Sequence, residues 1–199
     1  FLEVCLDVQG APVEPDDLQG DGGVPVVPAR DLVQPLDAAE ATRQIEAELA
    51  GAERPVLLLG GGVSREAARE WLPALRTRGI PIMTSWNAMD RTGEDDPMYF
   101  GRPNTWGQRS ANILIAQADV VVALGSRLGL QQTGFNWQEF APAGRVVQVE
   151  IDPLEITKGH PHVDVPLHAD ANEVLGALSS GPAADVPDWL AYCRRARER

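Results

Sequence analysis

The stretch that decides the fold is "VVVALGSRLG", residues 120–129. Five consecutive apolar residues end at Gly125, and Arg127 follows two positions later. A short, continuous apolar run is typical of a strand buried on both faces of a parallel sheet. Glycine lets the backbone turn sharply at the strand end, and open α/β sheets bind ligands beyond the carboxyl ends of their strands. We therefore interpret Arg127 as a candidate ligand-binding residue.

Segments with a similar pattern lie on both sides of this strand. Further strands are predicted at 54–62, 80–85, 145–152 and 163–169, and helices at 37–49, 65–79, 109–118, 170–180 and 188–199. Asp37, Ser64 and Asp170 stand where N-capping residues are expected. Strands that alternate with helices in this way predict an α/β fold with a mostly parallel sheet.

Composition and charge exclude several classes of protein. The 199 residues carry a formal net charge of -12, which disfavours nucleic-acid and anionic-membrane partners. No stretch approaches the roughly 20 consecutive apolar residues of a membrane span. Cys5 and Cys193 form no CxxC pair and are predicted to be idle thiols, so we expect a cytoplasmic protein without a zinc site.

The glycine-rich string "GGGVSR" (60–65) follows a predicted strand and opens a predicted helix. In a dinucleotide-binding GxGxxG fingerprint the third glycine permits close helix–strand packing, and here Arg65 occupies that position. An ordinary NAD site is therefore not predicted. The alternatives left open are an anion site at the helix N-terminus and a simple tight turn.

Arg127 and the segment Glu150–Asp152 follow two predicted parallel strands and should share one edge of the sheet. An arginine can bind a diphosphate or stack on a flat ring, and a carboxylate can accept hydrogen bonds from ribose. The alternative is that Arg127 and Asp152 simply pair with each other. His160 and His162 flank a proline in a predicted surface loop, and no catalytic constellation is predicted.

These pieces occur in a distinctive order. The chain reads "LDVQ", a proline-rich segment, "LLLGGGVS", "IPIMTSWNAMD", "ADVVVALGSRL", "FAPAGRVVQVEIDPLEI" and "VDVPLHADANEVL". Over nearly its whole length it resembles the central domain of acetolactate synthase-like thiamine diphosphate enzymes. The resemblance implies a three-layer, Rossmann-like domain of the DHS-like NAD/FAD-binding type, with about six strands.

The resemblance also implies a domain organisation. Residues 1–10 would be the last strand of a preceding pyrimidine-binding domain and residues 11–36 a linker. Residues 37–182 would form the central nucleotide-binding-like domain, and residues 183–199 a helix leading to a diphosphate-binding domain. Thiamine diphosphate and Mg would then be bound by those flanking domains of a parent homodimer or homotetramer that acts on 2-oxo acids.

In flavin-dependent members of the family the central domain binds FAD. The positions that match its cofactor-binding residues are Gly60, Gly61, Gly62, Ser85, Trp86, Asn87, Gly125, Arg127, Glu150, Ile151, Asp152 and Asp170.

Several positions depart from the family pattern. Gly129 and Leu130 replace an acidic pair, Gln131 replaces an arginine, and Trp106 replaces a histidine. Each lost charged partner would remove roughly 1–3 kcal/mol of binding if it contacted a buried charged ligand. We therefore expect FAD binding to be weak or absent.

Two other functions are alternatives to this one. A stand-alone FAD- or ADP-binding module of the electron-transfer-flavoprotein type would use the same sheet edge. An NAD-dependent deacylase of the sirtuin type shares the fold, but the chain lacks the four zinc cysteines of that class.

Overall fold

The computed structural model describes residues 9–10, 12 and 33–198. The chain divides into two compact units, Phe1–Asp31 and Leu32–Arg199, and the fold below is that of the second. Residues 1–8 of the strand expected at 1–10, and most of the linker expected at 11–36, lie outside the described residues, so both stay predictions. Gln9 and Gly10 are in a helix and a turn, respectively.

Five parallel strands form a single sheet in the described part of the chain. They are β1 (Pro55–Leu59), β2 (Ile82–Thr84), β3 (Val120–Leu124), β4 (Arg145–Glu150) and β5 (Val165–His168), in the order β2-β1-β3-β4-β5. The opening stretch is thus the central strand β3, and its five residues are all buried. The α/β fold with a parallel sheet is confirmed.

The expected count of about six strands is not reached among these residues. A sixth parallel segment is reduced to one bridge, in which Tyr99 pairs with Ile82 at the free edge of β2. The segment leaves a turn at 97–98 and ends at Gly101, whose φ of +96° is outside the range of a strand. The extended stretch is therefore too short to count as a strand.

Helices cover both faces of the sheet, as a three-layer domain requires. They are α1 (Ala38–Leu49), α2 (Arg65–Arg76), α3 (Arg109–Gln117), α4 (Leu130–Thr133), α5 (Pro153–Thr157), α6 (Ala171–Ser179) and α7 (Pro187–Arg197). Alternate strand residues point to opposite faces: Leu57 and Leu59 share a core with α1, α2 and α6, whereas Val56 and Leu58 share one with α3 and α7.

Local capping fixes where three of these helices begin. Asp37 accepts a hydrogen bond from the Glu40 amide at 2.7 Å, Ser64 from the Ala67 amide at 3.0 Å, and Asp170 from the Asn172 amide at 2.7 Å. Each bond satisfies an amide that the helix leaves without a backbone partner. The three predicted caps are confirmed.

The last helix, α7, packs on the same sheet face as α3. The Trp189 indole donates to the Pro55 carbonyl at 3.0 Å, and Cys193 is fully buried. Burial raises the pKa of the Cys193 thiol to about 12, so this thiol is protonated and unreactive at neutral pH. No helix in the described part of the chain combines the length and apolar character needed to cross a bilayer.

Candidate functional site

The loops after β1 and β3 meet backbone to backbone. The Gly60 amide donates to the Leu124 carbonyl at 2.8 Å, and the Gly62 amide donates to the Gly125 carbonyl at 2.9 Å. A Cβ at Gly60 would lie 2.1 Å from the Gly125 oxygen, and Gly125 itself has φ +61°. β1 and β3 are neighbours at the point where strand order reverses, which is where open α/β sheets bind ligands. The fold therefore brings together three of the predicted site residues, which are Gly60, Gly62 and Gly125.

The segment after β2 borders the same loop. The Ser85 amide donates to the Leu59 carbonyl at 2.8 Å. A Cβ at Gly61 would lie 3.1 Å from the Asn87 Cβ. Trp86, which lies between Ser85 and Asn87 in sequence, is 48 % exposed. The structure thus places these predicted residues beside the glycine loop.

Asn172 joins the start of α2 to the start of α6. Its side-chain oxygen accepts from the Ser64 amide at 2.7 Å, and its side-chain nitrogen donates to the Gly62 carbonyl at 3.2 Å and to Asp170 at 2.9 Å. Asp170 therefore reaches the glycine loop through Asn172. The sequence analysis missed this residue, and its place two positions after a helix cap is the only local signal for it.

Arg127 forms an ion pair with Glu155, whereas the alternative hypothesis from the sequence paired it with Asp152. Its Nε lies 2.6 Å from Glu155 Oε1, and Lys158 Nζ lies 3.0 Å from Glu155 Oε2. Burial alone would raise the pKa of Glu155, but the hydrogen bonds and charges of Arg127 and Lys158 outweigh it and hold that pKa below its usual range. Asp152 instead caps α5 by accepting from the Leu154 amide at 2.9 Å, so the Arg127–Asp152 pairing is wrong.

Glu150 is buried at the end of β4 and folds back onto its own loop. Its Oε1 accepts from the Ile151 amide at 2.9 Å and the Asp152 amide at 3.4 Å. Burial outweighs these bonds and raises the pKa of Glu150, and the neighbouring carboxylates of Glu155 and Asp152 add to the rise. The Ile151 side chain beside it is exposed.

This raised pKa predicts a pH-dependent effect of Glu150→Gln. The native state holds the Glu150 proton more tightly than the unfolded chain, so its ionisation costs stability as pH rises above the unfolded value of about 4.3. The amide keeps the acceptor but not the charge. We expect the variant to be more stable than the parent at pH 7, by about 1 kcal/mol or less, and equally stable near pH 4.

Urea unfolding at both pH values measures this difference. Glu70→Gln, at an exposed position of α2, serves as the matched control and should change stability at neither pH. A Glu150→Gln variant that is less stable at pH 7 than at pH 4, each relative to the parent, would contradict the assignment.

The charges around the glycine loops are already paired. The basic side chains there divide between two carboxylates: Arg65 and Arg91 contact Asp90, and Arg127 and Lys158 contact Glu155. A bound diphosphate would have to compete with Asp90 and Glu155 for these basic side chains. At the start of α2, two amides are likewise satisfied by Ser64 and Asn172. The fit to a dinucleotide diphosphate is therefore poor.

Large apolar side chains are exposed in the segments that follow β2, β3 and β4 and in the segment before α3. They are Trp86, Met89, Trp106, Leu130, Phe135, Trp137, Ile151 and Leu154. Trp106 and Phe135 are the most exposed of these, at 68 % and 73 %. Exposed apolar side chains that form a contiguous patch are typical of a surface that binds a ligand or another protein surface. This group is called the apolar rim below.

The two histidines of the predicted surface loop take structural contacts. His160 packs against Trp137 with ring centroids 5.6 Å apart, and His162 Nε2 lies 3.7 Å from Asp164 Oδ1. Within the described residues, no cluster of three or more His, Cys, Asp or Glu side chains is placed to hold a metal ion.

The parallel sheet and the glycine-lined strand reversal define a Rossmann-like, three-layer α/β domain. The sequence profile of the family "Thiamine pyrophosphate enzyme, central domain" matches residues 42–178. The chain belongs to this family, in its acetolactate synthase-like branch.

Curated relatives agree with this assignment. The chain is 35% identical over 167 residues to the acetolactate synthase large subunit of Corynebacterium glutamicum, which is 79% of this chain and 26% of that protein. It is 34% identical over 161 residues to a probable acetolactate synthase large subunit of Methanocaldococcus jannaschii (78% and 26%). It is 31% identical over 168 residues to the acetolactate synthase isozyme 2 large subunit of Escherichia coli (82% and 29%). The chain thus spans about a quarter of the length of these relatives.

Proposed function

We propose that this chain is the central domain of a larger thiamine diphosphate-dependent enzyme, a lyase or transferase that acts on 2-oxo acids as acetolactate synthase does. In this proposal thiamine diphosphate and Mg are bound by flanking domains of the parent chain, and the described domain does no chemistry itself. The observation that carries the proposal is the family match over 42–178, together with relatives about three times as long as this chain.

The contacts at the glycine loops support a scaffold role. The backbones of Gly60 and Gly62 are in contact with the backbone of Gly125. Arg127 is paired with Glu155. Hydrogen bonds from the Gly60 and Gly62 amides hold these loops against each other within the domain. A rigid domain with an apolar rim can hold flanking domains, or the partner subunits of a homodimer or homotetramer, at fixed positions.

The complete natural polypeptide, isolated from the cytoplasm of its host, tests the proposal. We expect an intact mass several times that of these 199 residues and consumption of a 2-oxo acid that requires added thiamine diphosphate and Mg. The 199-residue chain, given the same cofactors, should show no turnover. A natural polypeptide no longer than these 199 residues would overturn the proposal.

A flavin titration tests the cofactor site separately. We expect the 199-residue chain to bind FAD more weakly than about 1 µM, because the cations at the site already pair with Asp90 and Glu155. Quenching of the exposed Trp86 and Trp137 should report any binding. Saturation at micromolar FAD or below would contradict this expectation, and Arg127→Ala should then weaken the binding.

A second candidate function is a stand-alone FAD- or ADP-binding module of the electron-transfer-flavoprotein type. The observation that favours it is the apolar rim, because exposed tryptophan rings can stack on a flat ligand. A natural product of 199 residues that binds FAD tightly would support this function over the first.

A further inference from the structure

A groove between α3 and α7 lies apart from the site described above. Its volume is about 560 Å³, and it is lined by Gln108, Arg109, Ser110, Ile113, Tyr192, Arg195 and Ala196. Small-molecule sites typically occupy about 300–1,000 Å³. None of the residues that line the groove belongs to the glycine loops or the apolar rim.

The groove carries two arginines that the protein itself does not neutralise. Among residues 33–198, neither Arg109 nor Arg195 has a hydrogen-bond or ion-pair partner for its guanidinium. By contrast, Arg76, Arg78 and Arg145 all pair with carboxylates. In a chain with a net charge of -12, two unpaired cations in one concave surface indicate a site for an anion.

Part of the groove wall is apolar, and its tyrosine is held in place. The Tyr192 ring stacks on Trp189 with centroids 5.7 Å apart and an interplanar angle of 11°. Its hydroxyl accepts a hydrogen bond from Gln117 Nε2 at 2.9 Å. Because both contacts fix the ring, Tyr192 and Ile113 present a preformed surface on which a flat or hydrocarbon group can pack.

We propose that the α3–α7 groove binds an organic phosphate. The phosphate lies between Arg109 and Arg195, and its organic body packs on Ile113 and Tyr192. A guanidinium forms bidentate hydrogen bonds with phosphate or carboxylate oxygens. Two guanidinium groups match the charge of a phosphate dianion better than that of a single carboxylate.

Phenyl phosphate is the probe, because its phosphate group tests the two arginines and its ring tests the surface formed by Ile113 and Tyr192. Isothermal titration of the 199-residue chain should show saturable, one-to-one binding, with phenol, inorganic phosphate and benzoate each bound more weakly. Arg109→Gln and Arg195→Gln should each weaken binding about tenfold, since each removes a charge-assisted contact. Arg69→Gln is the matched control, because Arg69 is exposed and unpaired among the described residues but belongs to α2 on the other sheet face.

Three results would overturn the proposal. The first is that phenyl phosphate shows no saturable binding. The second is that Arg69→Gln weakens its binding as much as Arg109→Gln or Arg195→Gln does. The third is that benzoate binds as tightly as phenyl phosphate. Unchanged thermal unfolding midpoints show that the variants are folded. The outcome is independent of the thiamine diphosphate assignment, because that assignment is tested by turnover and intact mass rather than by this groove.

Discussion

Gly60→Ala is expected to lower the free energy of unfolding by about 3 kcal/mol, because the new methyl group has no space. An ideal Cβ at this position would lie 2.1 Å from the Gly125 carbonyl oxygen and 2.5 Å from the Ser126 Cα. These are backbone atoms, and they cannot rotate away as a side chain can. The hydrogen bonds from Gly60 to Leu124 and from Gly62 to Gly125 hold the two loops together. The steric clash of the new methyl group can therefore be relieved only if these loops separate.

Urea unfolding followed by tryptophan fluorescence measures this loss. Gly129→Ala is the matched control, since no atom of the described part of the chain lies within 4 Å of its Cβ position and its φ of -73° suits any residue. We expect that control to change stability by about 0.5 kcal/mol or less. If Gly60→Ala were as stable as Gly129→Ala, the close approach of the β1 and β3 loops would be disproved.

Arg78→Met is expected to lower the free energy of unfolding by about 3 kcal/mol, since it leaves a partly buried carboxylate without its counter-charge. The Arg78 side chain is 3% exposed, and its Nη2 lies 2.8 Å from Glu46 Oε2. It also donates to the Leu178 and Pro182 carbonyls at 3.0 and 2.9 Å. Methionine fills a similar volume but replaces none of these bonds, and Glu46 Oε1 already has no hydrogen-bond partner among the described residues.

The control for this variant is Arg145→Met. Arg145 pairs with Glu48 at 2.8 Å, but its side chain is 53% exposed, and exposed pairs contribute about 0–1 kcal/mol. Both variants are compared by urea unfolding at pH 7. Losses of equal size would show that the burial of the Arg78–Glu46 pair has no bearing on stability. The double variant Arg78→Met/Glu46→Leu should recover part of the loss, because it removes the stranded charge as well.

The sequence predicted the elements of the sheet well, and the reason is local. The run Val120 through Leu124 has a continuous apolar pattern that is typical of a doubly buried strand, and Asp37, Ser64 and Asp170 cap helices that begin next to them. These signals act within a few residues of the chain. Strand count was less accurate, because the shortening of the sixth segment depends on its turn at 97–98 and on Gly101.

The sequence by itself determined the parallel α/β fold, the family and the loops in which the candidate residues lie, because apolar periodicity, capping and motif order are all written along the chain. Only the tertiary structure decided which groups in those loops meet. It paired Arg127 with Glu155 instead of Asp152, joined Asp170 to Gly62 through Asn172, and placed two unpaired arginines in one groove. The physical reason is that such contacts join loops or helices that are distant in sequence, and their geometry follows from how the sheet and its helices pack.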